Sequence, residues 1–446
     1  MTATRPFSVA FYTLGCRLNQ SESTSLASLF SHSGHTVMAD GKADLAILNT
    51  CAVTEAAETD CRRLIRKILR DRPDTLIAVT GCYAQVGMEA LRRISGVDLI
   101  VGAEYKARLP ALVQKTLGDG PIQKLQTPLV FHTPKVRHDD FTVDHALAHY
   151  AAYDHTTRPN IKIQDGCDFF CAFCIIPYTR GRERSRMPSD VLLEASVWAD
   201  QGRREIVLTG VNLGQYQSGG HDLVDLIHAL GQIAGLARIR ISSIEPTTVP
   251  SRLIDQMAQP RGKLCPYLHL PLQSGSNRIL SQMGRRYTRE TYADFVRDTL
   301  AALPHLGLGT DVMVGFPGEE ERDFEETLSL LESLPFSYLH VFPFSRRKGT
   351  RVMKQPHRPD VPAAVIKKRA VCLRECSMQM RRSFHEKHVG QTVEVLFERR
   401  DPSGLQTGLA PNYLRVGVQT TEDLAGQILP VEIRDANTSL ALGVRV

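Results

Sequence analysis

No apolar run in the 446 residues approaches the roughly 18 that a membrane helix needs, so no spanning segment is expected. The N-terminus MTATRPFSVAFYTLGC carries one arginine and a short apolar stretch that already has the look of a strand. No signal peptide is read there, and a cytoplasmic location is expected. Internal repeats and low-complexity tracts are also lacking, which leaves ordinary globular domains. A chain of this length is too long for one core, so two or three are expected. Net charge is only +6, a weak pointer to an anionic partner. Ten cysteines in such a chain are not a disulfide framework, so metal binding or catalysis is the better reading.

The charge is unevenly spread. Residues 61–72 carry six basic residues and one acidic, 180–186 four and one, and 345–351 four and none. Each run alone reads as a solvated face; three beside other motifs suggest a polyanion surface.

The first segment alternates strand and helix. FSVAFYTLGC, ADLAILNTC, TLIAVTGC and VDLIVG read as parallel strands, and AAETDCRRLIRKILRDRP reads as an amphipathic helix. Cys16, Cys51 and Cys82 each fall just past a strand's C-terminal end, the edge where open α/β sheets bind ligands. Residues 116–155 lack periodicity and read as a linker, with room for a hairpin. From 156 six strand–helix units suggest a parallel β/α barrel or part of one, with chemistry at the strands' C-terminal ends. A long basic helix at about 362–386 follows, and 387–446 holds short strands typical of a small β-barrel.

QDGCDFFCAFC places Cys167, Cys171 and Cys174 within eight residues, one thiolate short of a closed tetrahedral site. Three structural thiols, or a zinc site completed by Cys265 or a histidine, are the rival readings. Zinc sites usually pair cysteines at short spacing, whereas gaps of three and two residues let a loop wrap three corners of an iron–sulfur cubane. The fourth iron is then open to a small molecule.

C-x3-C-x2-C after the first strand of a parallel barrel resembles the radical S-adenosylmethionine (radical SAM) superfamily. TLGCRLNQSES, NTCAV and GCYAQ are similar to the three cysteine motifs of its methylthiotransferase family, and GCDFFCAFCIIPYTRGRERSR to that family's radical-cluster motif. The closing barrel resembles the family's RNA-binding TRAM domain. The match runs over nearly the whole chain.

The resemblance implies an α/β protein with three parts. Residues 5–115 would form an N-terminal α/β domain holding an auxiliary cluster, 156–386 a radical SAM partial barrel, and 387–446 a TRAM-like β-barrel. It implies two 4Fe–4S clusters, one on Cys167, Cys171 and Cys174 and one on Cys16, Cys51 and Cys82. It also implies SAM, cleaved to a 5′-deoxyadenosyl radical, and a tRNA substrate, with an external electron donor and a sulfur source. TLGCRLNQ and its companions look most like the branch that methylthiolates carbon 2 of N6-threonylcarbamoyladenosine next to the anticodon. Isopentenyladenosine in tRNA, a ribosomal protein aspartate, and a non-enzymatic iron–sulfur RNA-binding protein are the alternatives.

Gly210 and Asn212 in LTGVN, Ser243 and Glu245 in ISSIEP, Gln273 in LPLQSGS and Arg285 in MGRRYT resemble the polar lining for SAM, Glu245 as acceptor for ribose hydroxyls. Arg180, Arg182, Arg184 and Arg186 begin beside the radical motif and are expected to meet RNA phosphates. GFPGE (315–319) reads as a structural turn, and Ser345 and Arg346 as facing SAM or RNA. Cys61, Cys265, Cys372 and Cys376 read as plain thiols. Residues 387–446 hold six basic and seven acidic residues, so a local patch, or the helix with net +5 over 363–387, must serve RNA.

Overall fold

Strands Leu45–Thr50 and Leu76–Gly81 are buried at every position, as parallel strands covered on both faces are. They are the middle of a six-stranded parallel sheet in the computed structural model, which describes residues 6–38, 42–117, 123–136, 156–354 and 358–446. The sheet runs in the order Thr36–Met38, Ser8–Thr13, Leu45–Thr50, Leu76–Gly81, Leu99–Val101, Leu129–Phe131. Two of these strands were not foreseen. Thr36–Met38 is three residues long, too short for a periodic signal, and Leu129–Phe131 lies inside the expected linker. It pairs in parallel with Leu99–Val101. Much of the rest of 116–155 lies outside the described residues. The basic helix Glu55–Asp71 buries Cys61, Ile65 and Ile68, spaced four and three apart, and Thr54 caps it by accepting from the Ala57 amide.

The chain divides into two compact units. The first holds 1–155, 160–197 and 345–354; the second holds 156–159, 198–344 and 355–446. The cysteine loop after Asn160–Lys162 thus groups with the N-terminal sheet, although sequence order places it at the head of the barrel segment.

In the second unit Glu205–Thr209 pairs in parallel with Arg238–Ile241, and Tyr267–His269, Gly307–Val314 and Tyr338–Pro343 form a second parallel set. Bridges Ile239–Leu264 and Ser243–His269 join the two sets edge to edge. Helices Leu223–Gly231, Arg289–Ala302 and Glu321–Ser333 each bury one apolar stripe. GFPGE is the turn from Gly307–Val314: the Gly315 amide donates to Glu319, which is held by Arg369 at 2.9 Å, a structural role.

After the helix Ala363–Glu386, five strands close into a barrel in the order Thr392–Phe397, Gln406–Leu409, Arg415–Val418, Ala441–Arg445, Ile428–Ala436. Val395, Phe397, Leu414, Val416, Val431 and Ile433 fill it. Arg238 donates to the Leu409 and Glu394 carbonyls, and Arg240 to those of Ala410 and Pro411, which ties this barrel to the parallel strands of its own unit. No helix among the described residues is long and apolar enough to cross a membrane.

Candidate cluster and cofactor sites

Cys16 is the N-cap of the helix Arg17–His32, Cys51 follows the strand Leu45–Thr50, and Cys82 opens the turn of helix after Leu76–Gly81. The three neighbouring strands bring all three thiols to one end of one sheet. Gly15 permits it: at φ +108° its backbone passes so close that a Cβ would sit 2.7 Å from Cys51 Cβ. Burial, with the neighbouring Cys82 and Cys16 thiols, pushes the Cys51 thiol up to about 11. Three thiols gathered at one sheet edge suit a metal centre, whose charge would offset the burial that keeps the Cys51 thiol protonated. Cys61 and Cys265, pushed by burial to about 12 and about 11, are isolated buried thiols, as expected.

Cys167, Cys171 and Cys174 lie in the same unit, on a loop closed by the Cys174 amide donating to the Cys171 carbonyl at 3.0 Å. The loop begins at Gly166, φ +72°, where a Cβ would fall 1.8 Å from the Arg182 carbonyl oxygen. Phe170 in its middle takes a left-handed φ of 48°, rare for a bulky residue. Segment 345–354 braces both thiol sets. Arg347 donates to the Ala52 carbonyl and pairs with Glu58 at 3.0 Å, the Ser345 hydroxyl accepts from the Glu55 amide, Arg351 donates to the Phe170 carbonyl, and the Val352 amide to that of Ala172. Arg347 and Arg351 are thus partly spent inside the protein.

The four arginines after the radical motif do not share one role. Arg180 is buried: it donates to Glu22 at 2.8 Å, Asp165 at 3.1 Å and Asn19 Oδ1 at 2.7 Å. Burial alone would weaken its hold on the proton, but Glu22, Cys82, Asp165 and Cys16 raise it well above the usual value. It therefore sits as a fixed positive charge beside the first thiol set. Arg184 binds Asp165 at 2.7 Å and Arg186 pairs with Glu194 in the interior. The expectation that these three face RNA phosphates is corrected: internal carboxylates had to be neutralised, and they took the guanidiniums. Arg182 alone of the four is well exposed, 3.3 Å from Asp168 and over the Phe170 ring at 5.1 Å.

Asn19, Glu22 and Asp165 were missed. Asn19 Nδ2 donates to the Leu14 and Thr50 carbonyls, fixing the backbone before both Cys16 and Cys51. The available signal was TLGCRLNQSES itself, in which polar Asn19 and Glu22 fall three and six residues after Cys16 on a helix that buries both.

In the second unit Gly210, Asn212, Ser243, Glu245 and Gln273 come after the strands' C-terminal ends, Arg285 follows the helix Asn277–Met283, and several are linked. Asn212 Oδ1 accepts from the Glu245 amide at 3.2 Å and from Thr248. Both Glu245 oxygens accept from Arg285, at 2.6 and 2.7 Å, and Arg285 also donates to the Pro271 carbonyl. Burial pushes the Glu245 carboxyl up despite Arg285. Glu245 is hence half of a buried pair and not a lone acceptor. Gln273 takes φ +70° and exchanges backbone hydrogen bonds with Gly307–Val314, while Ser243 bridges to His269. Gly210 lies just past Glu205–Thr209.

Residues 8–102 match the family described as "Uncharacterized protein family UPF0004", and residues 161–331 match the radical SAM superfamily. Threonylcarbamoyladenosine tRNA methylthiotransferase MtaB of Bacillus subtilis is 35% identical over 96% of this chain and 94% of its own. The protein of that name from Aquifex aeolicus is 37% identical over 87% and 92%. A tRNA-2-methylthio-N(6)-dimethylallyladenosine synthase of Cereibacter sphaeroides is 37% identical over 93% and 92%. Among solved structures, the radical SAM methyltransferase TsrM of Kitasatospora setae superposes with a TM-score of 0.55 over 78% of this chain and 77% of its own, at 16% identity, a likeness of fold. Two thiol triplets, one at a sheet edge and one on the loop after Asn160–Lys162, with relatives matched nearly end to end, make the chain a member of the methylthiotransferase family of radical SAM enzymes.

Proposed function

We propose that this enzyme adds a methylthio group to carbon 2 of N6-threonylcarbamoyladenosine at position 37 of the tRNA anticodon loop. The carrying observation is the pair of separate thiol triplets in one compact unit, each one ligand short of closing a site. Cys167, Cys171 and Cys174 would hold the cluster that binds SAM; Cys16, Cys51 and Cys82 would hold a second 4Fe–4S cluster. When bound, the first supplies the electron that cleaves SAM and the second carries the sulfur to be transferred. Arg180 keeps a positive charge beside Cys16 and Cys82, and Arg347 and Arg351 hold the backbone of both loops in place.

In this reading residues 5–115 are the auxiliary-cluster domain, 156–386 the SAM-binding part and 387–446 a TRAM-like barrel. Gly210, Asn212, Ser243, Gln273 and the Glu245–Arg285 pair line the SAM site. An anticodon-loop adenosine is unpaired and cheaply splayed out, which suits a base that must reach an enclosed site. Arg182 is the exposed contact for its phosphates. An electron donor and a sulfur source complete the reaction.

The threonylcarbamoyl assignment is supported by full-length relatives of that name, with dimethylallyladenosine synthases at similar identity. Nucleoside mass spectrometry of tRNA from cells lacking the protein decides between them. Loss of 2-methylthio-N6-threonylcarbamoyladenosine with retention of its precursor is expected. Loss of 2-methylthio-isopentenyladenosine instead would move the protein to the other branch. Persistence of both nucleosides, with a ribosomal protein losing a methylthio mass, would overturn the RNA reading.

A further inference from the structure

Along Tyr338–Pro343, Leu339 faces the helix Ala363–Glu386, its amide bonded to Ser377, while Tyr338 and His340 face the other way. Register places Tyr338 opposite Gly309 and His340 opposite Asp311, with Gly309 opposite His269 on the next strand. Gly309 matters here, since a Cβ would sit 2.5 Å from the Tyr338 ring and 2.8 Å from His269 Nδ1. With that space left clear, the polar side chains join in a row. The Tyr267 and Tyr338 hydroxyls are bonded, Tyr338 lies 3.1 Å from His269 Nδ1, and His269 Nε2 and His340 Nδ1 both donate to Asp311 Oδ1, at 2.9 and 3.3 Å. Burial would raise the Asp311 carboxyl, but His269 and His340 hold it well below the usual carboxylate range. The row therefore starts in the core and ends at His340, whose side chain is 53% exposed, with Nδ1 engaged by Asp311.

His340 and Tyr338 line a cavity of about 250 Å3 shared with Arg381, Phe384 and His385 of the helix and with Arg158, Glu398, Tyr413 and Arg415. That is below the roughly 300 Å3 at which drug-sized pockets begin, so it suits a substituent and not a whole nucleotide. Its charges do not cancel. Glu398 is taken by Arg158 at 2.7 Å. His385 is pushed down by burial and spends Nδ1 on the Asn437 carbonyl. Arg381, over the Tyr338 ring at 5.9 Å, has no ion-pair partner among the described residues, and Arg415, whose charge is also felt by the exposed Asp401, lines the cavity with it. Two guanidiniums remain around a small cavity, an arrangement suited to an oxyanion.

We propose that this cavity binds the carboxylate of the substituent on N6 of the substrate adenosine, with Arg381 and Arg415 as charge partners. The proposal rests on the threonylcarbamoyl reading above and assigns its specificity, since an isopentenyl group has no anion for these arginines. The other oxyanion source is a tRNA backbone phosphate. The test uses the reconstituted holoenzyme and one tRNA in two forms, with threonylcarbamoyl-adenosine or with plain adenosine at position 37. Wild type should prefer the modified form. Arg381→Gln should lose that preference by about tenfold or more, the scale of one charged hydrogen bond, and Arg381→Lys should restore part of it. Equal weakening of both tRNAs, with a shallower salt dependence, would give the arginines to phosphates and overturn the assignment. Unchanged binding by Arg381→Gln, in an enzyme that turns over the modified tRNA, would sink the pocket alone. A wild-type enzyme that ignores the modified tRNA would sink the substrate reading beneath it.

Discussion

Arg180 Nη1 lies 2.8 Å from Glu22 Oε1, with both side chains buried and 158 residues apart in the chain. Lys106 and Lys162 reach the same carboxylate, and Lys162, Arg180 and Arg184 all reach Asp165. The pair joins the helix that follows Cys16 to the loop that follows Cys174, so the two thiol sites share one ionic core.

Breaking that core should cost far more than losing a surface bridge. Arg180→Gln leaves Glu22 and Asp165 under-compensated in the interior, and about 3–5 kcal/mol of stability should go. Arg182→Gln, at the exposed position two residues on, should change stability by less than about 0.5 kcal/mol. Urea unfolding of both variants checks the contrast.

The same two arginines separate in RNA binding. Arg182→Gln should weaken modified and unmodified tRNA alike and flatten the salt dependence, because a phosphate contact positions without reading the base. Arg184→Gln, whose guanidinium is held by Asp165, should leave affinity unchanged in whatever fraction stays folded. Filter binding over a salt series tells them apart.

Acid should dissolve the Glu22 contribution. Burial would raise this carboxyl, yet Arg180, Lys106 and Lys162 hold it well below the usual carboxylate range. Its stabilisation is therefore complete above the unfolded value of about 4.3 and is lost as pH falls toward the folded value. The destabilisation caused by Glu22→Gln should be largest near neutrality and shrink below about pH 4. Stability curves of both proteins from pH 7 to pH 3 measure it.

Iron content tests the ligand sets independently of turnover. Anaerobically reconstituted protein should hold about eight irons, and either triple alanine variant, of Cys16, Cys51 and Cys82 or of Cys167, Cys171 and Cys174, about four. The first variant should still cleave SAM reductively and the second should not. SAM cleavage at the wild-type rate by the second would exclude it as the radical site.

Gly166→Ala forces a Cβ toward the Arg182 carbonyl from a left-handed backbone. The backbone alone costs about 1–3 kcal/mol, with the clash added. Iron on the second triplet should fall while the first keeps its share, read by Mössbauer spectroscopy of the partly loaded protein.

Periodicity and spacing were enough for the four central strands of the parallel sheet, the parallel strands after residue 200, the closing barrel and the grouping of Cys167, Cys171 and Cys174, whereas Cys16, Cys51 and Cys82 became a set only through the family resemblance. Each of the former is written locally, as in the unbroken apolar runs LAILNT and LIAVTG or the three- and two-residue gaps between Cys167, Cys171 and Cys174. Short strands escaped: Gln406–Leu409 carries only one strong apolar residue, and Thr36–Met38 spans three positions. The arginines escaped as well. RGRERSR reads as one basic run because charge is a property of the residue, but whether a guanidinium meets water or a buried carboxylate depends on what packs over it. Glu22, 158 residues away, claims Arg180, and Asp165 claims Arg184. Sequence alone singled out the six cysteines proposed here as cluster ligands. Tertiary structure decided which of their charges are left over, because in a low-dielectric interior each charge must be matched by a partner that only folding brings near.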